Sequence, residues 1–537
     1  MDASTNGNLT WLDAVVFGAY FLIVIGTGLW VSRKPKDHER SSEDFFLAGR
    51  ALPWWIIGTS LIASNISAEQ MIGMTGSAFA SGIAIVSYEW MAAVTLLLVA
   101  IFFLPVFLRM RIYSMPQYLE QRFDYRVSIG LGVFWLLVYV FVNLTSVTYL
   151  GALTLKTMIG LDLFYGVPLL VMISAIFTLT GGLTAVAWTD IIQVTVLFVG
   201  GVAVTTFGLQ AMAADGGVVA GFSQLLNEHP DRFHTVLPWN HETLPWIGVF
   251  FGGMWVANFS YWGFNQYITQ RALAARDLKH AQLGMAFAAF LKMIVPIVVV
   301  VPGVIAYALY RDVVPKADMA YPTLIREIVP AGFTGLILAA LIAAIVSSLN
   351  SMTNSSATIF TMDIYRKLNP AASERQLVRT GRIVSAVVLL IAVFMAPMLS
   401  NLEEVFQYIQ EYTGMVSPGV VAIFLYGVFW KRCTSAAALT MAIVTIPLSA
   451  GLKFLPLAFD PESVIAQFMN PFLNRMGVAF ILLMLVGYVV SMMTQHATQE
   501  APRAAGEEAG FEWPSMAFWV ASLFIVGGLT ALYLTFW

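Results

Sequence analysis

Long apolar stretches, separated by short polar segments, run the length of the chain. A helix that crosses a bilayer needs about 20 mostly apolar residues. Such windows recur at residues 11–32, 53–80, 83–108, 127–157, 163–180, 183–213, 246–269, 282–310, 333–365, 382–399, 404–430, 434–455, 475–494 and 515–536. The pattern predicts an all-α integral membrane protein of about 14 transmembrane helices. Two spans break it. The run from Ile57 to Gly76 carries Ser64, Asn65, Ser67, Glu69 and Gln70 in its middle, and the run from Ala343 to Ser356 is filled with hydroxyls and amides. Polar groups at membrane depth are expensive and usually face a partner or a wet cavity. Two such spans, far apart in sequence, imply one shared binding site near the midplane, which is the layout of a secondary transporter.

Composition agrees. Of 537 residues, 59% are hydrophobic and 11% charged, and mean hydropathy is +0.78; soluble domains carry about 25% charged residues. The net charge of −3 gives no basis for nucleic-acid binding. One cysteine, Cys433, excludes an internal disulfide and any multi-cysteine metal site. The six histidines read as loop or span-end residues, and no GxxxxGK[ST] phosphate loop suggests an ATP-driven pump. The first span has no basic amino-terminal flank and begins with Asp13, so it reads as a retained helix rather than a signal peptide.

Basic residues divide unevenly between the two ends of the spans. Arg33, Lys34, Arg109, Arg111, Arg122, Arg271, Arg366, Arg375 and Lys431 are among those on one side; Arg232, Arg311, Lys316, Arg326 and Arg475 lie on the other. The positive-inside rule makes the first side cytoplasmic and places both termini outside, in the inner membrane of a bacterial-type cell. Loops 214–245 and 311–332 are then external, and 495–514 is a cytoplasmic loop. The second span and the seventh, Phe251 to Gln266, are each interrupted by polar residues and glycine. Lying five spans apart, they enter the membrane in opposite senses, as an inverted five-plus-five repeat requires. The expected plan is a single transmembrane domain over 1–537. It has an extra helix at 11–32, repeats at 53–213 and 246–430, and three added helices in 434–537.

Six stretches carry a family resemblance: Ala63 to Gln70, Ser87 to Trp90, Gly181 to Asp190, Asn258 to Gln266, Ser347–Ser348 with Phe360 to Tyr365, and Gly427 to Arg432. Each is weak alone, but together, in this order, they resemble the sodium/solute symporter family, and within it the bacterial sodium/galactose and animal sodium/glucose branches. The resemblance implies a LeuT-like inverted-repeat fold with broken first helices. It also implies sodium as the co-transported ion, held by the carbonyls of Ala63, Ile66 and Ala344 and the hydroxyls of Ser347 and Ser348. Oxygen donors suit a small hard cation, although serines in membrane helices also bond back to their own helix. Asp190 is implied in the cation pathway, or caps a helix start. Asn350 stands where relatives with a second sodium carry a hydroxyl.

For the substrate, the resemblance implies Gln70, Glu89, Asn258, Lys292 and Gln410 as polar contacts. Tyr261 stacks on the ring and forms the inner barrier, and Trp262 supports it. Met74, Tyr88 and Phe406 form the outer gate, and Ala92 replaces an expected serine. Such a set suits a sugar, which offers hydroxyls that donate and accept and an apolar ring face. Glu89 and Lys292 also read as charges that neutralise each other inside the bundle. The reading is therefore a sodium-coupled symporter for a neutral hexose, not an enzyme. Inositol, an amino acid or a carboxylate stay open as solutes, and a transporter-like membrane sensor as a class.

Overall fold

The computed structural model describes residues 10–31, 47–112, 114–178, 183–213, 216–495 and 512–537. Helices that position the site are numbered here in chain order. α1 is Trp11–Val31, α2 is Trp54–Asn65 and α3 covers 69–81. α4 is Val86–Phe102, α5 Tyr125–Ile159, α6 Leu163–Thr178 and α7 Leu183–Met212. α8 covers 253–263, followed by α9 (Gln266–Leu273), α10 (Leu278–Tyr310) and α11 (Ala320–Ile328). α12 is Phe333–Leu368, α13 Glu374–Asn401, α14 Val405–Gly414 and α15 Ser417–Phe429. α16 (Ser435–Phe454), α17 (Phe472–Thr494) and α18 (Met516–Thr535) complete the set.

Among the described residues, nine helices are long and apolar enough to cross a membrane; α14 and α15, bent by 46°, make a tenth if counted as one span. The remaining expected spans are short or interrupted. α1 and α6 carry the shorter apolar runs Trp11–Val24 and Leu163–Ala175, and the polar segments near 66 and 264 break the backbone instead of continuing it. Both loops expected outside contain helix: Gly217–Glu228 in one and α11 in the other. α13 begins at Glu374, two turns before its apolar window, because Ser373 and Gln376 form a reciprocal cap there.

Local chemistry sets the boundaries. Asp124 accepts from the Arg126 and Val127 amides at the start of α5, and Asp277 from the His280 amide at the start of α10. Gly160, at φ 71°, ends α5 in the left-handed region. Hydroxyls inside spans turn back on their own helices, as Thr95 does to the Met91 carbonyl (2.9 Å) and Thr148 to that of Leu144 (2.7 Å).

Close backbone approach holds the bundle. α10 lies along α2 and α4; a Cβ on Gly284 would sit 2.7 Å from Ile57, so only glycine lets α10 come so near. α1 packs on α12 in the same manner. Asp13 is buried and accepts from the Gly332 and Gly335 amides, both at 2.7 Å. It thereby satisfies donors that the first turn of α12 leaves without partners.

Four stretches widen into π-helix: 69–74, 138–144, 259–263 and 359–365. Such wide turns are rare and concentrate at functional positions. The first three carry residues of the cavity described next.

Candidate functional site

The site grows from two helix breaks. α2 stops at Asn65 because Ile66 takes extended backbone angles (φ −72°, ψ 91°). α8 stops where Phe264 leaves the helix and Asn265 is extended (φ −80°, ψ 125°) before α9 begins. Backbone groups released at a break need partners or water, and the side chains around both breaks are polar. Between them, bounded also by α4, α5, α10, α14 and α15, lies a cavity.

The cavity gathers every polar residue assigned to the solute: Gln70, Glu89, Asn258, Lys292 and Gln410, with Tyr261 and Trp262. Met74, Tyr88 and Phe406 form part of the same lining. These three are buried, and the Tyr88 and Phe406 rings meet edge to face at 5.3 Å. Ala92 is buried on α4, outside the lining.

The charges are paired. Lys292 Nζ lies 2.5 Å from Glu89 Oε2, both side chains almost wholly buried. The ammonium also donates to Asn65 Oδ1 and sits 4.9 Å above the Trp262 ring. A buried charge keeps its ionised form only when so compensated, and the pair leaves this part of the lining close to neutral. Ser67 donates to Gln70 Oε1 (3.5 Å), and Asn258 donates to the Met254 carbonyl (3.0 Å). Tyr261, half-buried, accepts from Asn65 Nδ2 at 3.2 Å and from the Tyr267 hydroxyl at 2.8 Å. Its ring meets Trp262 edge to face at 5.1 Å.

Several lining residues lay outside the expected set. Asn65 and Glu69 belong to the polar cluster of the second span, and Glu69 accepts from Asn143 Nδ2 (3.4 Å). Asn143, Asn265 and Thr413, with Ser260 and Ser417, complete the polar wall. Asn143 had a legible signal, a lone amide in the apolar run from Val138 to Leu144; Thr413 had none.

The residues assigned to sodium lie on two touching helices. Ala63 is in the last turn of α2, Ile66 at its break, and Ala344, Ser347 and Ser348 are on α12, which packs against α2. Ser348 is buried, and its hydroxyl meets no hydrogen-bond partner. It does not bond back to its own helix, as Ser64 does to the Ser60 carbonyl (2.7 Å). A buried orphan hydroxyl beside a helix break is the donor chemistry a small cation takes up. Asn350 accepts from the Ser174 hydroxyl of α6 at 2.5 Å. The side chain of Asp190 lies outside the described residues.

On the side of residues 311–332 the cavity is capped. Asp318 accepts from the Val405 amide at 3.0 Å, at the start of α14. Ser77, at the end of α3, donates to Glu404 at 2.8 Å, and Lys316 donates to the Ser400 carbonyl. At its other end α14 is tied to α16 and α17 by Glu411, which pairs with Lys453 (3.3 Å) and Arg475 (2.8 Å).

A polar cavity between broken helices of an apolar bundle defines a membrane transporter that binds its solute at mid-depth. Residues 45–445 match the Sodium:solute symporter family, and the chain belongs to that family. It is 44% identical over 549 residues to a sodium/glucose cotransporter of Vibrio parahaemolyticus, covering 98% of this chain and 99% of that one. It is 34% identical over 456 residues to a sodium/myo-inositol cotransporter 2 of Oryctolagus cuniculus, covering 79% and 67%. In fold it matches a Na+-coupled sialic acid symporter in a substrate-bound outward-open state, with TM-score 0.76 and 23% identity, over 90% of this chain and 98% of that one.

Proposed function

We propose that the chain imports a neutral hexose of the galactose or glucose type together with sodium, by alternating access. The observation that carries this is the Glu89–Lys292 pair set among amides at the edge of the cavity. The pair cancels its own charge while leaving carboxylate oxygens and amides to meet hydroxyls. A carboxylate or zwitterion would bring charge with no matching partner at membrane depth. Likeness to a sodium/glucose cotransporter along nearly the whole chain supports the same solute.

In this reading sodium sits on the carbonyls of Ala63, Ile66 and Ala344 and the hydroxyls of Ser347 and Ser348, with Asp190 on its path. Gln70, Glu89, Asn258, Lys292 and Gln410 hold the sugar hydroxyls, Tyr261 supported by Trp262 closes the inner side, and Met74, Tyr88 and Phe406 close the outer. The repeats at 53–213 and 246–430 rock about this centre, with 11–32 and 434–537 added outside them. Both termini face outward from the inner membrane. A potential of about 100 mV is worth roughly 2.3 kcal/mol per charge, and a roughly tenfold sodium gradient about 1.4 kcal/mol more. One sodium per cycle therefore supports accumulation of the order of several-hundred-fold.

Inositol is the second reading, since it is also a neutral polyhydroxylated ring and a sodium/myo-inositol cotransporter is among the relatives. Counterflow uptake into proteoliposomes, with labelled galactose, glucose, inositol, proline and pantothenate, with and without sodium, separates the two. Galactose or glucose uptake that needs sodium, is competed by the other hexose and is untouched by proline is the expected result. Uptake of proline or pantothenate alone would overturn the sugar assignment and leave the family standing.

A further inference from the structure

The inner face of the cavity is held by a residue that the solute and ion sites do not include. Tyr267 opens α9, just past the second helix break, and is 2% exposed. It does not line the cavity. Its hydroxyl donates to the Tyr261 hydroxyl at 2.8 Å, and the two rings stand edge to face at 5.9 Å. Behind it the Tyr139 ring packs at 5.7 Å, and the Tyr139 hydroxyl donates to Asn265 Oδ1 at 2.6 Å. Tyr267 is thus fixed from the side away from the solute, and Tyr261 is fixed by Tyr267.

A phenolic oxygen has two acceptor sites. On Tyr261 one takes the Asn65 amide of α2, the other the Tyr267 hydroxyl of α9. The inner halves of both broken helices therefore converge on one oxygen atom, from opposite repeats of the proposed plan. Asn65 carries the connection further, because its Oδ1 accepts from Lys292, which pairs with Glu89. An unbroken line of polar contacts runs from the solute-facing carboxylate to Tyr267.

We propose that Tyr267 is the positioning residue of the inner barrier: its hydroxyl holds Tyr261 across the cavity floor until α2 and α9 separate. The inference rests on the sodium–hexose reading above. When the two inner halves part, Tyr261 loses either the Asn65 or the Tyr267 contact, and its side chain is released to swing clear of the solute. The contact acts on solute release and not on solute affinity, because Tyr267 is outside the cavity.

The test is Tyr267→Phe, which keeps the ring and removes only the hydroxyl, in proteoliposomes loaded with labelled galactose. Sodium-free galactose efflux should rise about three- to tenfold, the change that follows from losing one neutral hydrogen bond. The galactose Kd by calorimetry should stay within about twofold, less than one such bond is worth. Tyr261→Phe removes this contact together with the Asn65 one, so it should raise efflux at least as much, and the double variant should be no faster than Tyr261→Phe alone. Efflux from Tyr267→Phe equal to that of the unaltered protein overturns the proposal, and so does an additive double variant. If Tyr267→Phe does not fold, efflux from Tyr261→Phe, which loses both contacts, equal to that of the unaltered protein overturns the proposal. If the unaltered protein shows no sodium-driven galactose uptake at all, it is the hexose reading that fails.

Discussion

The ion-pair network of the cavity and the proposed cation site bury polar atoms differently. Around the ion pair of the cavity, polar groups satisfy one another: Lys292 reaches Glu89 and Asn65, Asn143 reaches Glu69, and Ser67 reaches Gln70, while the lining hydroxyls of Tyr88 and Thr413 meet no partner. At the proposed cation site, the Ser348 hydroxyl is buried with no partner. A satisfied network is stable when empty and must exchange contacts to bind. An orphan hydroxyl raises the energy of the empty state, so its ligand gains by arriving. If sodium sits at Ser348 as proposed, it relieves a deficit, whereas sugar exchanges contacts with the ion-pair network, so sodium binding should prepare the cavity and not the reverse.

The comparison breaks most visibly at the ion pair. Lys292→Ala leaves Glu89 buried and alone, which should cost about 3–5 kcal/mol of stability and abolish hexose binding. Pairing Lys292→Met with Glu89→Gln should recover most of the melting temperature in detergent while binding stays lost. A single variant as stable as the unaltered protein would mean that the pair is not the buried charge it is taken for.

Ser348→Ala tests the other region with a signature of its own. The sodium concentration for half-maximal uptake should rise about tenfold or more, a loss of about 1–3 kcal/mol. The sodium-free protein should be no less stable, since an orphan hydroxyl has gone. Thermal melts with and without sodium read both effects, and a variant destabilised equally in each would remove Ser348 from the site.

Gln70→Ala sharpens the cavity side. It takes one amide from a network with other donors and acceptors, so calorimetry should show hexose affinity weakened by about 1–2 kcal/mol with sodium dependence kept. A change in sodium affinity as large as that in sugar affinity would erase the distinction between the two regions.

The smallest effect concerns the cap at Asp318. Burial raises its carboxyl to about 7; Glu404 pushes the same way, while the Val405 amide and Lys316 oppose. With its pKa raised by docking, Asp318 binds its proton more tightly when seated than when free. Docking is therefore strongest at acid pH and weakens as pH rises through about 7. Protection of the Val405 amide from hydrogen exchange, corrected for intrinsic rate, should be greater at pH 5.5 than at pH 8. Asp318→Asn should remove the dependence.

Much of this was legible in the sequence because membrane burial makes polar residues conspicuous. Ser64 to Gln70 and Ser347 to Ser356 stand out against apolar neighbours, and the two helix breaks fall among polar residues and glycine. Family resemblance, not periodicity, supplied Lys292, a lone charge in an otherwise ordinary span, and Gln410, one of several polar residues at the start of its span. Asn265 sat in a stretch already singled out, with Tyr267 one residue beyond it, but nothing in their spacing tells which of these aromatics faces the cavity and which stands behind. That depends on the wide turn at 259–263, where one added residue shifts the facing of those that follow, and such turns leave no compositional mark. Nor does the bend between α14 and α15 show in the apolar window 404–430.

Those wide turns also make the chain's register an inherited quantity. One helical residue corresponds to about 100° of rotation. Deleting a single position inside 69–74 would let the stretch close into ordinary α-helix and turn everything beyond it by about that angle. Met74 would leave the lining it shares with Tyr88 and Phe406, and Ser77 would leave Glu404, with no side chain altered in kind. At these four places a change in chain length outweighs most substitutions, so variants that differ there by one residue should differ in gating before they differ in solute.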